Sequence, residues 1–139
     1  MKRILSLCIL AALMACSPEE EPDIQRTDEF LFDALVSSRW KVTLFEDDGV
    51  VETKNFDGIS FTFIPNGQVE AYRGTQLLDV GSWRSYTEDG RVEFELEFEN
   101  DPILEELSDT WYQDRMTNGR LSLREESDGS EDRLNFETL

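Results

Sequence analysis

Histidine is absent from this sequence of 139 residues. Its absence removes the side chain that most often acts as a general base and as a metal ligand near neutral pH. Serine–histidine–aspartate triads and cysteine–histidine zinc sites are therefore excluded. The sequence also lacks a glycine-rich phosphate-binding loop, and its acidic turns do not have the spacing of an EF-hand. We expect no enzymatic activity, no cofactor and no metal site.

Positive charge is scarce as well. The chain has 13 lysines and arginines against 31 aspartates and glutamates, and its formal net charge is −18. Nucleic-acid binding requires clustered basic side chains that neutralise phosphates, so we expect no nucleic-acid partner. Electrostatic adsorption to anionic lipid is disfavoured for the same reason.

The sequence has no long apolar run. It has one short apolar run, at residues 4–15. A membrane-spanning helix needs about 20 apolar residues, so this run is too short to span a bilayer. Lys2 and Arg3 precede it and an acidic segment follows, which is the pattern of a secretory signal peptide. A buried core helix is the alternative. We predict a signal peptide over residues 1–15.

Cysteine occurs twice, at Cys8 inside the predicted signal peptide and at Cys16 directly after it. Leu13-Met14-Ala15-Cys16 resembles the lipobox of bacterial lipoproteins. The resemblance implies that the sulfur of Cys16 takes up diacylglycerol and that Cys16 becomes an acylated (palmitate-type) N-terminus. The alternative is ordinary cleavage near Ala15, which would leave Cys16 as a free thiol. Lipidation also explains why an exported chain would carry one unpaired cysteine.

Residues 16–26 follow as a charged tether with two prolines and three consecutive glutamates. Such a composition cannot bury a core. Ser17-Pro18-Glu19-Glu20-Glu21 also resembles the acidic export signals of surface-exposed lipoproteins. We therefore expect an exported protein that is held in the outer membrane, and displayed at the cell surface, by acyl chains on Cys16. The folded domain is expected to span residues 27–139.

The domain begins with helical periodicity and then alternates with a period of two. Residues 28–37 predict a short helix, and 101–108 predict a second one, capped by Asp101 with Pro102 at its first position. In 91–98, Val92, Phe94, Leu96 and Phe98 alternate with glutamates, so paired-acid glycoside chemistry is disfavoured because these carboxylates face solvent. Strands are predicted at 39–46, 50–54, 58–64, 68–73, 77–86, 91–98, 110–117, 120–126 and 132–137.

Tight turns such as Glu88-Asp89-Gly90 and Asn118-Gly119 separate these strands. Short hairpin links favour an antiparallel up-and-down arrangement of eight or nine strands. Such a sheet hides its edges by closing into a barrel. A β-sandwich is the alternative, although a Greek-key sandwich would need longer crossovers. We predict a mainly all-β fold, an up-and-down barrel.

The chain resembles the lipocalin-like lipoproteins of Gram-negative bacteria, which combine a signal peptide, a lipobox, an acidic tether and a small meander barrel. The resemblance covers residues 38–136 and implies the architecture more than any ligand, because Ser38 replaces the usual glycine of the opening Gly-x-Trp. The residues that carry it are Ser38-Arg39-Trp40, Phe56-Asp57-Gly58, Phe61-Thr62-Phe63, Asn66-Gly67, Gly81-Ser82-Trp83, Trp111, Leu121, Leu123, Leu134 and Phe136.

The candidate binding residues are inward-facing aromatics and one arginine: Trp40, Phe61, Phe63, Phe94, Phe98 and Arg84. They predict either an aromatic ligand cavity, with Arg84 pairing an anionic group, or a filled core, because a barrel of about eight strands is just wide enough for side chains to fill. The first interpretation makes the protein a binding module for a small apolar ligand or a partner protein. The second makes it an accessory lipoprotein that works through protein–protein contacts.

Overall fold

The computed structural model describes residues 28–127 and 129–139. The predicted signal peptide 1–15 and the segment 16–26 with Cys16 lie outside the described residues. No helix within the described ranges is long and apolar enough to cross a membrane. The elements are α1 Asp28–Val36, β1 Arg39–Asp47, β2 Val50–Val51, a 3₁₀ helix Thr53–Phe56, β3 Ile59–Phe63, β4 Gln68–Arg73, β5 Gln76–Glu88, β6 Arg91–Glu97, α2 Pro102–Glu105, β7 Asp109–Thr117, β8 Arg120–Ser127 and β9 Ser130–Thr138.

The strands form a closed antiparallel barrel. From β3 to β9 each strand pairs with its neighbour in the chain, β1 pairs with β3, and β9 returns to pair with β1. Across the described residues this gives eight barrel strands, with β2 added as an extra strand on β1. The predicted up-and-down barrel is confirmed, and closure through β1 and β9 rules out the sandwich.

Local sequence explains the hairpins. Asp89 and Gly90 between β5 and β6 both have positive φ, at 50° and 75°. A two-residue hairpin of this kind matches the twist of its strands but requires residues that tolerate the left-handed region, which Asp-Gly does. In β6, Val92, Phe94 and Leu96 are buried, as their alternation predicts.

The prediction of a strand over 50–54 is only partly right. Val50–Val51 is the strand, and Thr53–Phe56 turns into a 3₁₀ helix. The Thr53 hydroxyl accepts a hydrogen bond from the Phe45 backbone N–H, at 3.0 Å. The ring of Phe56 packs edge-on against Phe45 with 5.3 Å between the centroids. Burying Phe56 under the barrel therefore outweighs continuing the strand.

A β-bulge changes which side chains of β1 face the core. The register of β1 with β9 shifts between Val42 and Leu44. Trp40 and Val42 are buried. Strict alternation along β1 would place Leu44 inward next, but Phe45 takes that inward position. A bulge adds one residue to one strand, so the alternation of side chains shifts by one after it.

The two helices cover opposite ends of the barrel. Helix α1 buries Leu31 and Leu35 completely, and the Trp40 indole Nε1 donates to the carbonyl oxygen of Leu35 at 3.0 Å. At the other end, between β6 and β7, Leu104 of α2 and the following Leu107 are buried. Trp111 donates from Nε1 to the Leu107 carbonyl oxygen at 3.0 Å. Both predicted helices are confirmed, with shorter bounds.

Candidate functional site

The aromatic candidates all lie inside the barrel. Their exposed fractions are 2% or less, and they come from β1, β3, β6 and the residue that follows β6: Trp40, Phe61, Phe63, Phe94 and Phe98. The inward orientation predicted from strand alternation is therefore correct. Trp83 of β5 and Phe136 of β9 join the same cluster.

These rings pack against one another. The Phe63 ring lies 5.4 Å from Trp83, 5.9 Å from Phe94 and 6.0 Å from Phe136, measured between centroids. The Phe61 ring lies 5.5 Å from Phe136 and 6.2 Å from Phe98. Aromatic side chains in direct contact have centroids 4.5–7 Å apart. The volume between these residues is thus occupied by their own side chains.

Gly81 shows how tight the packing is on the β5 side. A Cβ atom at this position would lie 2.3 Å from the Glu97 carbonyl oxygen and 2.8 Å from the Phe98 ring. The glycine lets β5 approach the Phe98 ring at van der Waals distance. Sequence reasoning noticed Gly81-Ser82-Trp83 as a motif but gave no reason for the glycine.

Arg84 does not line the interior, contrary to the expectation for it. Because Trp83 faces inward, its neighbour Arg84 faces outward, and its side chain is 67% exposed. Its guanidinium donates to Glu95 across the β5–β6 ladder, with an Nη2–Oε1 distance of 2.8 Å. It also lies over the Tyr86 ring, 4.8 Å from the centroid. The hydrogen bond from Arg84 lowers the pKa of Glu95 against the opposing effect of burial.

The three glutamates of β6 lie on the outer face, as predicted, but they differ in exposure. Glu97 is exposed, whereas Glu93 is only 8% exposed. Glu93 sits in register between Tyr86 and Tyr112 and contacts the Arg91 guanidinium at 3.3 Å. Cross-strand side chains therefore bury an outward carboxylate, and the period-two pattern carries no signal for this.

Asp79 of β5 is a buried carboxylate that sequence reasoning missed. It is 7% exposed and accepts hydrogen bonds of 2.8–3.1 Å from Val80 N, Asn100 N, Asn100 Nδ2 and Asp101 N. Burial by itself would raise the pKa of Asp79, but the hydrogen bonds outweigh it and lower the pKa. The carboxylate joins β5 to the loop that leads into α2, so we assign it a structural role.

Acidic side chains collect at the end of the barrel where β1 leads into β2. Asp47, Asp48 and Asp132 each place a carboxylate oxygen within 4.8 Å of the others. Burial, followed by the charges of Asp132 and Asp48, raises the pKa of Asp47. Carboxylate oxygens suit Ca²⁺. Exposed acidic turns are nevertheless common without an ion, and we assign no metal site here.

A surface groove opens between β1 and β3. Their ladder has the two residue pairs Arg39↔Thr62 and Trp40↔Phe61, after which the strands separate. The groove has a volume of about 620 Å³ and includes Val42, Phe56, Ile59, Ser60, Asp57 and Leu139 in its lining. We call it the β1–β3 groove. Sequence reasoning did not find it, because it depends on where two strands stop pairing.

Comparisons with known proteins found no relative of this chain. No family model, no curated protein and no solved structure matches it.

Proposed function

We propose that this protein is a lipid-anchored accessory barrel that binds a partner protein through its outer surface and catalyses no reaction. The observation that supports it best is the aromatic interior, in which the rings of Phe61, Phe63, Phe94 and Phe136 contact one another. A ligand in the middle of the barrel would have to displace these rings. A barrel of about eight strands is just wide enough for side chains to fill, and the ring contacts in this interior support recognition on the outer surface.

The anchor in this proposal is the acylated Cys16. Leu13-Met14-Ala15-Cys16 resembles a lipobox, and the closed up-and-down barrel is the architecture that the lipocalin-like lipoproteins would share. A single acyl chain binds a membrane weakly, whereas two or more hold a protein stably. Attachment through Cys16 would present the barrel at the outer membrane surface.

The carboxylates of Asp79 and Glu95 support a structural role for these two side chains. Asp79 is saturated by hydrogen bonds, and Glu95 is engaged by Arg84 and by the Tyr86 hydroxyl. A general acid needs a raised pKa close to substrate, and the lowered pKa values of Asp79 and Glu95 disfavour that role for these two carboxylates. Burial raises the pKa values of Asp47, Glu106 and Glu125. The side chains of Asp79 and Glu95 are committed to holding strands together.

The test is site-specific photo-crosslinking in the host. A photoreactive amino acid replaces Asp57, Ser82 or Arg115 in separate variants, since all three are exposed and lie on different strands or loops of the barrel. We expect a discrete adduct with one partner protein from at least one position, and loss of that adduct in Cys16→Ser.

Native mass spectrometry of protein purified from the host provides the opposing result. We expect the mass of the acylated chain alone, with the modification on Cys16. A stoichiometric small molecule, together with no adduct from any of the three positions, would overturn the proposal in favour of a ligand-binding barrel. An unmodified Cys16 would overturn the lipid anchor.

A further inference from the structure

The basic side chains of the described residues fall into two groups. On β5–β9, five of the six arginines form ion pairs, Arg115 being the exception. Arg39, Lys41, Lys54 and Arg73, from β1 to β4, form no ion pair with any residue that the structure describes. This is unexpected in a chain with 31 acidic residues.

Two of the four unpaired cations line the β1–β3 groove, and the other two are neighbours of residues that line it. Arg39 and Lys41 line it, and Arg39 donates from Nη2 to the Ser60 hydroxyl at 2.8 Å. Lys54 follows Thr53 of the lining in the chain. Arg73 is the register partner of Ile59 and precedes Gly74, and both of these residues line the groove. All four cationic side chains belong to exposed residues.

We propose that the β1–β3 groove binds an extended acidic segment of the partner protein. This deepens the proposed function, on which it rests, by naming the chemistry of the partner. The argument is charge complementarity. The chain as a whole is strongly acidic, whereas the groove lining holds the two cations Arg39 and Lys41 against one side-chain carboxylate, Asp57. Neither cation forms an ion pair with any residue that the structure describes, so both are available to an acidic segment.

The spread of the charges favours a peptide over a small anion. Arg39 is the first residue of β1. Lys54 lies near the other end of the strand, because the neighbouring Thr53 accepts a hydrogen bond from Phe45, six residues after Arg39. Six residues of strand span about 20 Å. One carboxylate could not reach cations at both ends, but an extended segment of about six residues could. Val42, Phe56 and Ile59 form the floor of the groove between them, each at most 8% exposed.

The experiment measures binding of a fluorescein-labelled peptide of alternating glutamate and valine to the full chain in neutral detergent micelles. We expect binding that weakens as NaCl increases, because salt screens exposed charges. The double variant Lys41→Gln/Lys54→Gln should weaken it by about tenfold. Arg84→Gln/Arg133→Gln is the control, since it removes the same charge from the opposite group and should leave the affinity unchanged. Circular dichroism confirms that both variants are folded.

Four results would overturn the inference. The first is that the peptide does not bind, and the second is that the control variant weakens peptide binding equally. The third is that the lysines are needed for binding to phosphatidylglycerol vesicles while the peptide does not bind, and the fourth is that the peptide binds only when Glu19, Glu20 and Glu21 are changed to glutamine. The last would show that the chain's own acidic segment occupies the groove. If the crosslinking test yields a partner adduct while the peptide fails to bind, the proposed function stands and the acidic-segment inference falls.

Discussion

The outer face of β5–β9 and the β1–β3 groove use the same residue types in opposite ways. On β5–β9, register sets Arg84 against Glu95 and Arg120 against Glu137, and each pair closes as an ion pair. At the groove, Arg39 faces Thr62 and Lys41 faces Glu137 in register, and neither cation forms an ion pair with any residue that the structure describes. Glu137 pairs with Arg120 on its other side, so Lys41 is left without an ion pair although a carboxylate faces it. A surface cation is therefore neutralised only where its cross-strand carboxylate is not already engaged.

The largest expected change in stability comes from removing a buried carboxylate whose oxygens accept several hydrogen bonds. Asp79→Ala removes the acceptor of hydrogen bonds from Val80, Asn100 and Asp101 and should lower the free energy of unfolding by about 3 kcal/mol. Asp57→Ala, at the groove, removes an exposed carboxylate and should change it by less than about 0.5 kcal/mol. Urea denaturation measures both. Equal losses would contradict the distinction between the two regions.

Gly81→Ala should have the next largest effect. The new Cβ would approach the Glu97 carbonyl oxygen and the Phe98 ring, so we expect a loss of about 2 kcal/mol from overpacking. Adding Phe98→Leu removes the contact of the new Cβ with the ring and should recover part of the lost unfolding free energy. A double-mutant cycle measures this recovery. A neutral Gly81→Ala would show that the interior can relax and would weaken the case for a filled barrel.

Two carboxylates should respond to pH in opposite directions. The pKa of Asp79 is lowered from 3.8, so its stabilisation is present above pH 3.8 and is lost as the pH falls through its folded pKa. The pKa of Asp47 is raised from 3.8, so its ionisation destabilises the fold above its folded pKa.

Asp47→Asn should therefore raise the stability at pH 7 by about 0.5 kcal/mol, and the gain should vanish below pH 3.8. Thermal denaturation from pH 3 to pH 7 measures it. A gain that does not depend on pH would show that the charge of Asp47 is not its cause.

The smallest expected effect is the difference in stability between two variants that each lose one cation. Arg120→Gln breaks the pair with Glu137 and should lower the unfolding free energy by about 0.5 kcal/mol. Lys41→Gln breaks no ion pair with a residue that the structure describes and should leave the stability unchanged within error. Chemical denaturation at low salt detects the difference, and high salt should remove it. A larger loss in Lys41→Gln would indicate an intramolecular role for that cation.

Sequence alone predicted the parts of the fold that depend on neighbouring residues. Asp89-Gly90 predicted a hairpin, alternation predicted the inward face of β6, and Asp101-Pro102 predicted the start of α2. The assignment of Arg84 to the interior was wrong, and simple alternation along β1 fails at Leu44. The bulge in β1 depends on how β9 pairs with it. Because Trp83 faces inward, strand alternation places the side chain of Arg84 on the outer face, so it cannot line an interior cavity.

The sequence by itself determined the charge, the histidine-free chemistry and the order of strands that closes a barrel, because each follows from composition or from contacts a few residues apart. Only the tertiary structure decided that the aromatic rings occupy the interior, that Asp79 and Glu93 are buried, and that β1 and β3 separate into a groove that Arg39 and Lys41 line. Those features depend on side chains and strand edges brought together from distant parts of the chain, and packing and register decide them.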